Sequence, residues 1–256
     1  MIELHTLGTG SETCRLPLRP TQFYIRQGGE ESGLLLGCSA LTGSAIEAND
    51  SLPQDGPQKV LILDPRAGQT AGIEDLALRS YYGDTTGKPC LYLPEALSDL
   101  LWEGKLQSSL GVVTGRRYKK VSLDVYFSVV SLSETHSVIY VNDLKLMPFR
   151  VPSLVGLHSF GVEIQDPSGS SLIMAHRAAV NLDQTQALLS ACKGSSVVFG
   201  VPTPGGLLGL TQEALRGLTE AQRGQVWLTG LGPGDNALDF YSMGYNVLGQ
   251  DTVTGF

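Results

Sequence analysis

The sequence has 256 residues, a formal net charge of −7 and four cysteines. This length suits one α/β domain, and we expect a single domain over residues 1–256 whose core needs no disulfide or metal to fold. General RNA or DNA binding is not expected, because an acidic chain whose densest basic stretch is the short segment 116–120 offers little counter-charge to phosphate backbones.

The cysteines are widely scattered and form no Cys-x-x-Cys pair, which argues against a zinc knuckle or a thioredoxin-like motif. No apolar run approaches the roughly 20 residues that a membrane span needs. The first residues carry no signal-peptide pattern. We therefore expect a cytoplasmic protein with reduced thiols and no membrane contact.

The predicted elements alternate between short apolar strands and amphipathic helices. The run KVLIL at residues 59–63 is typical of a strand buried in the core of a sheet, and the Ser- and Pro-rich stretch 39–58 is predicted to be a loop. Strands are predicted at residues 2–7, 21–26, 33–38, 59–63, 120–132, 137–141, 144–149, 159–165, 171–175, 196–200 and 226–229, and helices at residues 70–79, 94–102, 182–192 and 211–218. The tail 238–256 is predicted to hold a helical turn and a last short strand.

Antiparallel strands in each half of the chain are followed by helix–strand units. This order predicts an α/β fold in which two mixed sheets pack face to face with helices outside, an αββα sandwich. No internal repeat or long linker interrupts the pattern.

The order of these landmarks resembles the metallo-β-lactamase superfamily, and most of all its ribonuclease Z-like branch. The similarity begins at residues 4–11, where that branch has a strand ending in LGTG, and continues through GLLLGCS at residues 33–39. The segment DPRAGQTAGI at residues 64–73 then stands where family members carry THxHxDHxxGL, whose side chains hold two zinc ions. The resemblance implies the αββα fold and the hydrolysis of phosphodiester, thioester or lactam bonds.

The metal-binding positions of that family are occupied by other residues in this chain. Aligned on the closing glycine of the motif, the first two histidine positions become Asp64 and Arg66. The motif aspartate becomes Gly68 and the last histidine becomes Gln69. A guanidinium is always protonated and has no lone pair to donate, so Arg66 repels a dication rather than binding it.

The later landmarks depart from the family in the same way. Ser153 or Val155 stands at the next metal histidine, with His158 a few residues on. His176 fills the place of the bridging aspartate, and Gly230 follows the strand that precedes the last metal histidine. We therefore expect no metal cofactor, with a residual one-metal site from Asp64, His176 and His158 as the alternative.

The loops that carry these positions converge at one end of the sheets in the resembled fold. Two arginines and a histidine without zinc provide donors for a small anion such as a carboxylate or phosphate. The alternative is that Asp64 pairs with Arg66 or Arg177 and fills the volume with salt bridges. The candidate ligand-binding residues are Asp64, Arg66, Gln69, Ser153, His158, His176 and Arg177.

The function expected from the sequence is therefore non-catalytic ligand binding or protein interaction on a metallo-β-lactamase-like fold. The alternative is a hydrolase of ester-type or phosphoester substrates with a single-metal or metal-free site centred on Asp64 and His176. A homodimer is a further expectation, because Trp102, Trp227 and the apolar stretch 205–210 provide side chains suited to an interface.

Overall fold

The computed structural model describes residues 1–11, 14, 17–83, 87–111, 121–133, 137–153, 158–192, 194–201 and 209–256. Its strands are Ile2–Gly8 (β1), Gln22–Gln27 (β2), Gly33–Leu36 (β3), Lys59–Leu61 (β4), Cys90–Pro94 (β5), Ser128–Leu132 (β6), Ile139–Val141 (β7), Leu144–Val151 (β8), Ser159–Gln165 (β9), Ser171–Ala175 (β10), Ala179–Val180 (β11), Ser196–Gly200 (β12), Gly209–Leu210 (β13), Val226–Thr229 (β14), Asn246–Val247 (β15) and Thr252–Gly255 (β16). Its α-helices are Thr42–Glu47 (α1), Ala67–Thr70 (α2), Ile73–Tyr82 (α3), Glu95–Leu101 (α4), Gln107–Leu110 (α5), Leu182–Ala191 (α6), Gln212–Gly217 (α7), Glu220–Gln225 (α8) and Ala237–Ser242 (α9).

These strands form two mixed seven-stranded sheets within the described residues. The first sheet has the order β16-β1-β2-β3-β4-β5-β6, in which pairing is antiparallel from β16 to β3 and parallel from β3 to β6. The second has the order β15-β14-β12-β10-β9-β8-β7, parallel from β15 to β10 and antiparallel from β10 to β7. The strands β11 and β13 form a separate parallel pair.

The main hydrophobic core lies between the two sheets. It joins fully buried side chains of the first sheet, such as Leu4 and Leu61, to those of the second, such as Leu146 and Val162. Helices α3 and α4 add Ile73, Leu97 and Leu101 to this cluster. A second cluster packs Leu189 of α6 and Leu215 of α7 against the second sheet. The predicted αββα sandwich of two mixed sheets with outer helices is therefore confirmed.

Backbone hydrogen bonds connect the two sheets at the end where the candidate residues lie, and one of them positions Asp64. The chain leaves β4 through Ile62 and Leu63, which are completely buried. The carbonyl of Leu63 accepts a hydrogen bond from the N–H of Phe160 in β9, at 2.9 Å. This bond places Asp64 directly beside Ser159.

Several predicted boundaries were wrong. The stretch 39–58, predicted as a loop, contains helix α1, whose Ala45 and Ile46 are buried. Its sequence TGSAIE has modest helix propensity, so packing rather than propensity forms this helix. Strand β5 and helix α8 were not predicted. The predicted strand 120–132 is shorter, because a 3₁₀ turn at Leu123–Val125 precedes β6 and residue 120 lies outside the described residues.

The predicted helix 70–79 is two helices, α2 and α3, separated at Gly72. A Cβ atom at Gly72 would lie 2.2 Å from the carbonyl oxygen of Ser39, so only glycine fits this close backbone approach. The N–H of Gly72 also donates to the carbonyl of Cys38 at 2.8 Å. The segment after β4 is thereby attached to the end of β3.

Other expectations concern membrane contact and the dimer. Among the described residues, no helix is long and apolar enough to cross a membrane. The basic segment 116–120 and residues 205–208 of the apolar stretch lie outside the described part of the chain. Trp102 is partly buried against the main core, and Trp227 packs edge-on against Phe256 with ring centroids 5.3 Å apart. The homodimer stays a prediction.

We expect Leu61→Ala to lower the free energy of unfolding by about 2–5 kcal/mol, because it opens a cavity between the two sheets. The matched control is Leu238→Ala in α9, since Leu238 is 70% exposed whereas Leu61 is 0% exposed. The control should stay within about 0.5 kcal/mol of the wild type. Urea unfolding followed by circular dichroism measures both, and similar losses in the two variants would contradict this description of the core.

Candidate functional site

Asp64 is the centre of the polar cluster at this end of the sheets. Its side chain is completely buried. Oδ1 accepts hydrogen bonds from the backbone N–H and the Nε of Arg66, at 2.8 and 2.7 Å. Oδ2 accepts from Ser159 Oγ at 2.7 Å and from a terminal nitrogen of Arg66. Both carboxylate oxygens are therefore saturated by donors of the protein itself.

A second guanidinium approaches the same carboxylate. Arg177 follows β10 and is 5% exposed, and its Nη2 lies 3.5 Å from Asp64 Oδ1. Burial on its own would raise the pKa of Asp64, but the hydrogen bonds from Arg66 and the charge of Arg177 outweigh burial and hold that pKa well below its usual range. Asp64 is thus ionised, and the two arginines Arg66 and Arg177 share its carboxylate.

His176 lies beside this cluster as a neutral ring. It is 4% exposed and packs edge-on against Phe23, with ring centroids 5.3 Å apart. Burial, reinforced by the charge of Arg177, lowers the pKa of His176 to about 3. Neither ring nitrogen has a hydrogen-bond partner among the residues that the structure describes. Among the described residues, Asp64 and His176 therefore make no hydrogen bond of the kind that orients a catalytic base.

Gln69 makes its contacts away from the arginine cluster. Its Nε2 donates to the carbonyl of Thr21 at 3.1 Å. A Cβ atom at Gly37 would lie 2.3 Å from Gln69 Oε1, and Gly37 has a φ of +80°, so glycine is required there on both counts. Thr21 Oγ1 in turn lies 3.2 Å from Thr229 Oγ1 at the end of β14. Gln69 therefore connects the segment after β4 to the ends of β2, β3 and β14.

Ser153 and His158 flank the cluster differently. Ser159 Oγ lies 3.4 Å from Ser153 Oγ, which brings Ser153 next to Asp64 through Ser159. His158 is partly exposed, and its Nδ1 pairs with Arg150 rather than with Asp64 or His176. Val155 lies outside the described residues. The structure thus brings Asp64, Arg66, Arg177 and Ser153 together, whereas the hydrogen bonds of Gln69 and His158 lead elsewhere.

Two residues of the cluster were missed by sequence reasoning. Ser159 has no motif of its own, although it stands next to His158 at the start of a clear strand. Lys105 donates to the carbonyl of Pro65 and, at 2.9 Å, to Thr70 Oγ1. No local pattern links Lys105 to a segment that lies about forty residues earlier, so only the tertiary structure identifies it.

The residues present do not fit a dinuclear zinc site. Such a site needs several histidine and carboxylate donors around the ions. Within the described residues, no group of three or more His, Cys, Asp or Glu side chains is placed to hold a metal ion. Asp64 has both oxygens engaged, and Arg66 and Arg177 present positive charge where a dication would lie.

Comparison with known proteins gives the family. A family model described as Anti-Pycsar protein Apyc1 matches residues 2–236. The Anti-Pycsar protein Apyc1 of Paenibacillus sp. (strain J14) is 33% identical over 110 residues, which cover 42% of this chain and 42% of that protein. The alignment therefore spans less than half of that curated relative.

Solved structures resemble the whole chain at low sequence identity. YhfI from Bacillus subtilis, described as a metallo-β-lactamase fold protein, has a TM-score of 0.71 at 13% identity and covers 99% of this chain and 98% of its own. Zn²⁺-bound PqqB from Methylobacterium extorquens has a TM-score of 0.71 at 14% identity, with 99% and 100% covered. The short form of human tRNase Z has a TM-score of 0.67 at 14% identity, with 99% and 98% covered. The metallo-β-lactamase fold expected from the sequence is confirmed.

We expect Arg66→Ala to lower the free energy of unfolding by about 3 kcal/mol, since it removes the main partner of a buried carboxylate. In the Asp64→Asn background the same change should cost less, because no full charge is then left behind. A double-mutant cycle in urea measures this coupling. The control is Arg79→Ala, whose partner Asp75 and whose own side chain are each 60% exposed; its cost should stay below about 1 kcal/mol. Additive effects of the two site substitutions would contradict the assigned ion pair.

We expect stability to fall as the pH is lowered from about 6.5 towards 3. In that window the unfolded chain takes up a proton at His176 that the folded chain excludes, and at the acidic end Asp64 acts in the same direction because its folded pKa is depressed. Unfolding midpoints of the wild type and of His176→Phe, measured between pH 7 and pH 4.5, provide the test. The variant should lose less stability on acidification, and an equal slope in both proteins would show that His176 does not carry the effect.

Proposed function

This chain belongs to the anti-Pycsar Apyc1 family, and on that premise we propose that it binds a phosphodiester anion at Arg66 and Arg177 without zinc-dependent hydrolysis. Cyclic mononucleotides are the ligands of this class that we expect for a member of the family. The observation that carries the proposal is the convergence of two guanidinium groups on one buried carboxylate.

The charge of this cluster favours an anion. Two guanidinium groups lie against one carboxylate, and a guanidinium is always protonated. Arg66 is the accessible group, since 18% of its side chain is exposed whereas only 6% of that of Arg177 is. Guanidinium groups bind phosphate oxygens through paired N–H donors, which makes a phosphate the matching ligand.

The rival function is hydrolysis with a single-metal or metal-free site centred on Asp64 and His176. The contacts of the described residues do not favour it. Asp64 is ionised but fully hydrogen-bonded, so it has no free lone-pair direction for a water or a metal ion. His176 is neutral and makes no hydrogen bond to Asp64. The experiment below would detect hydrolysis if the rival function were correct.

The test is isothermal titration with 3′,5′-cyclic CMP, 3′,5′-cyclic AMP and inorganic phosphate. The wild type should bind at least one of the nucleotides. Arg66→Gln, which removes the guanidinium and keeps a polar side chain, should weaken binding by tenfold or more, as expected for the loss of charge-assisted hydrogen bonds. Arg79→Ala is the matched control, because it removes an exposed arginine of α3 that already has carboxylate partners.

Three results would contradict the proposal. The first is that no nucleotide binds the wild type, and the second is that Arg66→Gln binds as tightly as the control. The third is turnover of the nucleotide. We expect chromatography after long incubation to recover the nucleotide intact, with and without added zinc. Cleavage that depends on a metal found by elemental analysis would establish the hydrolase instead.

A further inference from the structure

Buried leucines occur at uneven spacing along the helical segment 95–110. Leu97, Leu101, Leu106 and Leu110 are 0%, 0%, 4% and 1% exposed. Steps of four residues keep side chains on one face of an α-helix, whereas the five-residue step from Leu101 to Leu106 does not. The chain accommodates this step with a π-helical turn at Trp102–Leu106, after which the N–H of Gln107 donates to the carbonyl of Trp102. The turn holds one extra residue and returns Leu106 to the core.

Lys105 occupies the position that the leucine series would reach in an uninterrupted α-helix, four residues after Leu101. The widened turn places Leu106 in the core, while the exposed Lys105 reaches the segment 64–70 with its ammonium group. The Lys105 ammonium donates to the carbonyl of Pro65 and, at 2.9 Å, to Thr70 Oγ1. Single π-helical turns inside α-helices occur frequently at functional sites.

Pro65 and Thr70 are the two ends of the short segment that carries Arg66. Thr70 Oγ1 also donates to the carbonyls of Arg66 and Pro65, at 3.0 and 3.3 Å. Pro65 is buried and Thr70 is only 3% exposed. Without the ammonium, the buried carbonyl of Pro65 would keep only the longer hydrogen bond from Thr70 Oγ1, at 3.3 Å, and Thr70 Oγ1 would lose a charged donor. One charged group therefore links both ends of the segment around Arg66.

We propose that Lys105 is a positioning residue: by fixing Pro65 and Thr70, it holds the Arg66 backbone so that the guanidinium can face both Asp64 and a bound phosphate. Its role towards the ligand rests on the function proposed above. Its effect on the segment 64–70 does not, because the contacts are made within the protein. The effect of Lys105 on the segment 64–70 and its effect on ligand binding are tested separately.

The first measurement is amide hydrogen exchange in the ligand-free protein. The N–H groups of Gln69 and Ala71 donate to the carbonyls of Arg66 and Ala67 and report on the segment. Lys105→Met should speed their exchange about tenfold, and Lys105→Arg should restore slow exchange, because an arginine still donates to both oxygens. The matched control is Lys88→Met, which removes a lysine that also donates to a backbone carbonyl, that of Asp124. The control should exchange at these amides as the wild type does.

The second measurement is the affinity of the same variants for 3′,5′-cyclic CMP and 3′,5′-cyclic AMP. Lys105→Met should bind about tenfold more weakly, with Lys105→Arg and Lys88→Met close to the wild type. Unchanged exchange in Lys105→Met overturns the positioning role. Faster exchange with unchanged affinity overturns its connection to the ligand. If Lys105→Met exchanges faster and the wild type binds no nucleotide, the positioning of Arg66 is supported and only the proposed function is contradicted.

Discussion

A fully buried carboxylate is stable only when charge and hydrogen bonds compensate it, and the site end of this protein is organised by that requirement. Asp64 is held by Arg66 from its own segment, by Ser159 from β9 and by Arg177 after β10. The three partners come from both sheets. The ion cluster therefore joins the two sheets at this end of the sandwich, and the buried leucines join them in its middle.

Much of the fold follows from local apolar patterns. The strand at residues 59–63 was predicted from its continuous apolar run, and β9 and β10 were predicted from the turn signal at residues 166–170 between them. Helix α1 was missed because its stability comes from packing. Helix α8 was missed although Thr219 and Gln222 form a capping box, a signal that a search for such pairs would have found. Strand β5 depends on its two parallel neighbours, which no local pattern specifies.

The residues of the candidate site were likewise predictable only where the local sequence specifies them. The segment 64–70 was located because it follows a buried strand at the point where the resembled family places its motif, and the pairing of Asp64 with arginine was one of two alternatives left open. Ser159 and Lys105 could not be located, because their partners lie 95 and 40 residues away in sequence. The contacts of His158 and Gln69 were likewise decided by the neighbouring elements rather than by their place in the motif.

The shared carboxylate also constrains how this sequence can evolve. A dinuclear zinc centre would require histidine or carboxylate side chains at several positions, including Gly68 and Gly230, together with the removal of Arg66 and Arg177. Replacing Arg66 alone removes the main partner of the buried Asp64 carboxylate. Replacing Asp64 alone removes the carboxylate that both guanidinium groups contact. We expect each single replacement to lower the free energy of unfolding, because it disturbs a buried ion cluster. Substitutions at Asp64, Arg66 and Arg177 are therefore expected to be coupled, since a change at any one of them alters the charge balance around the other two.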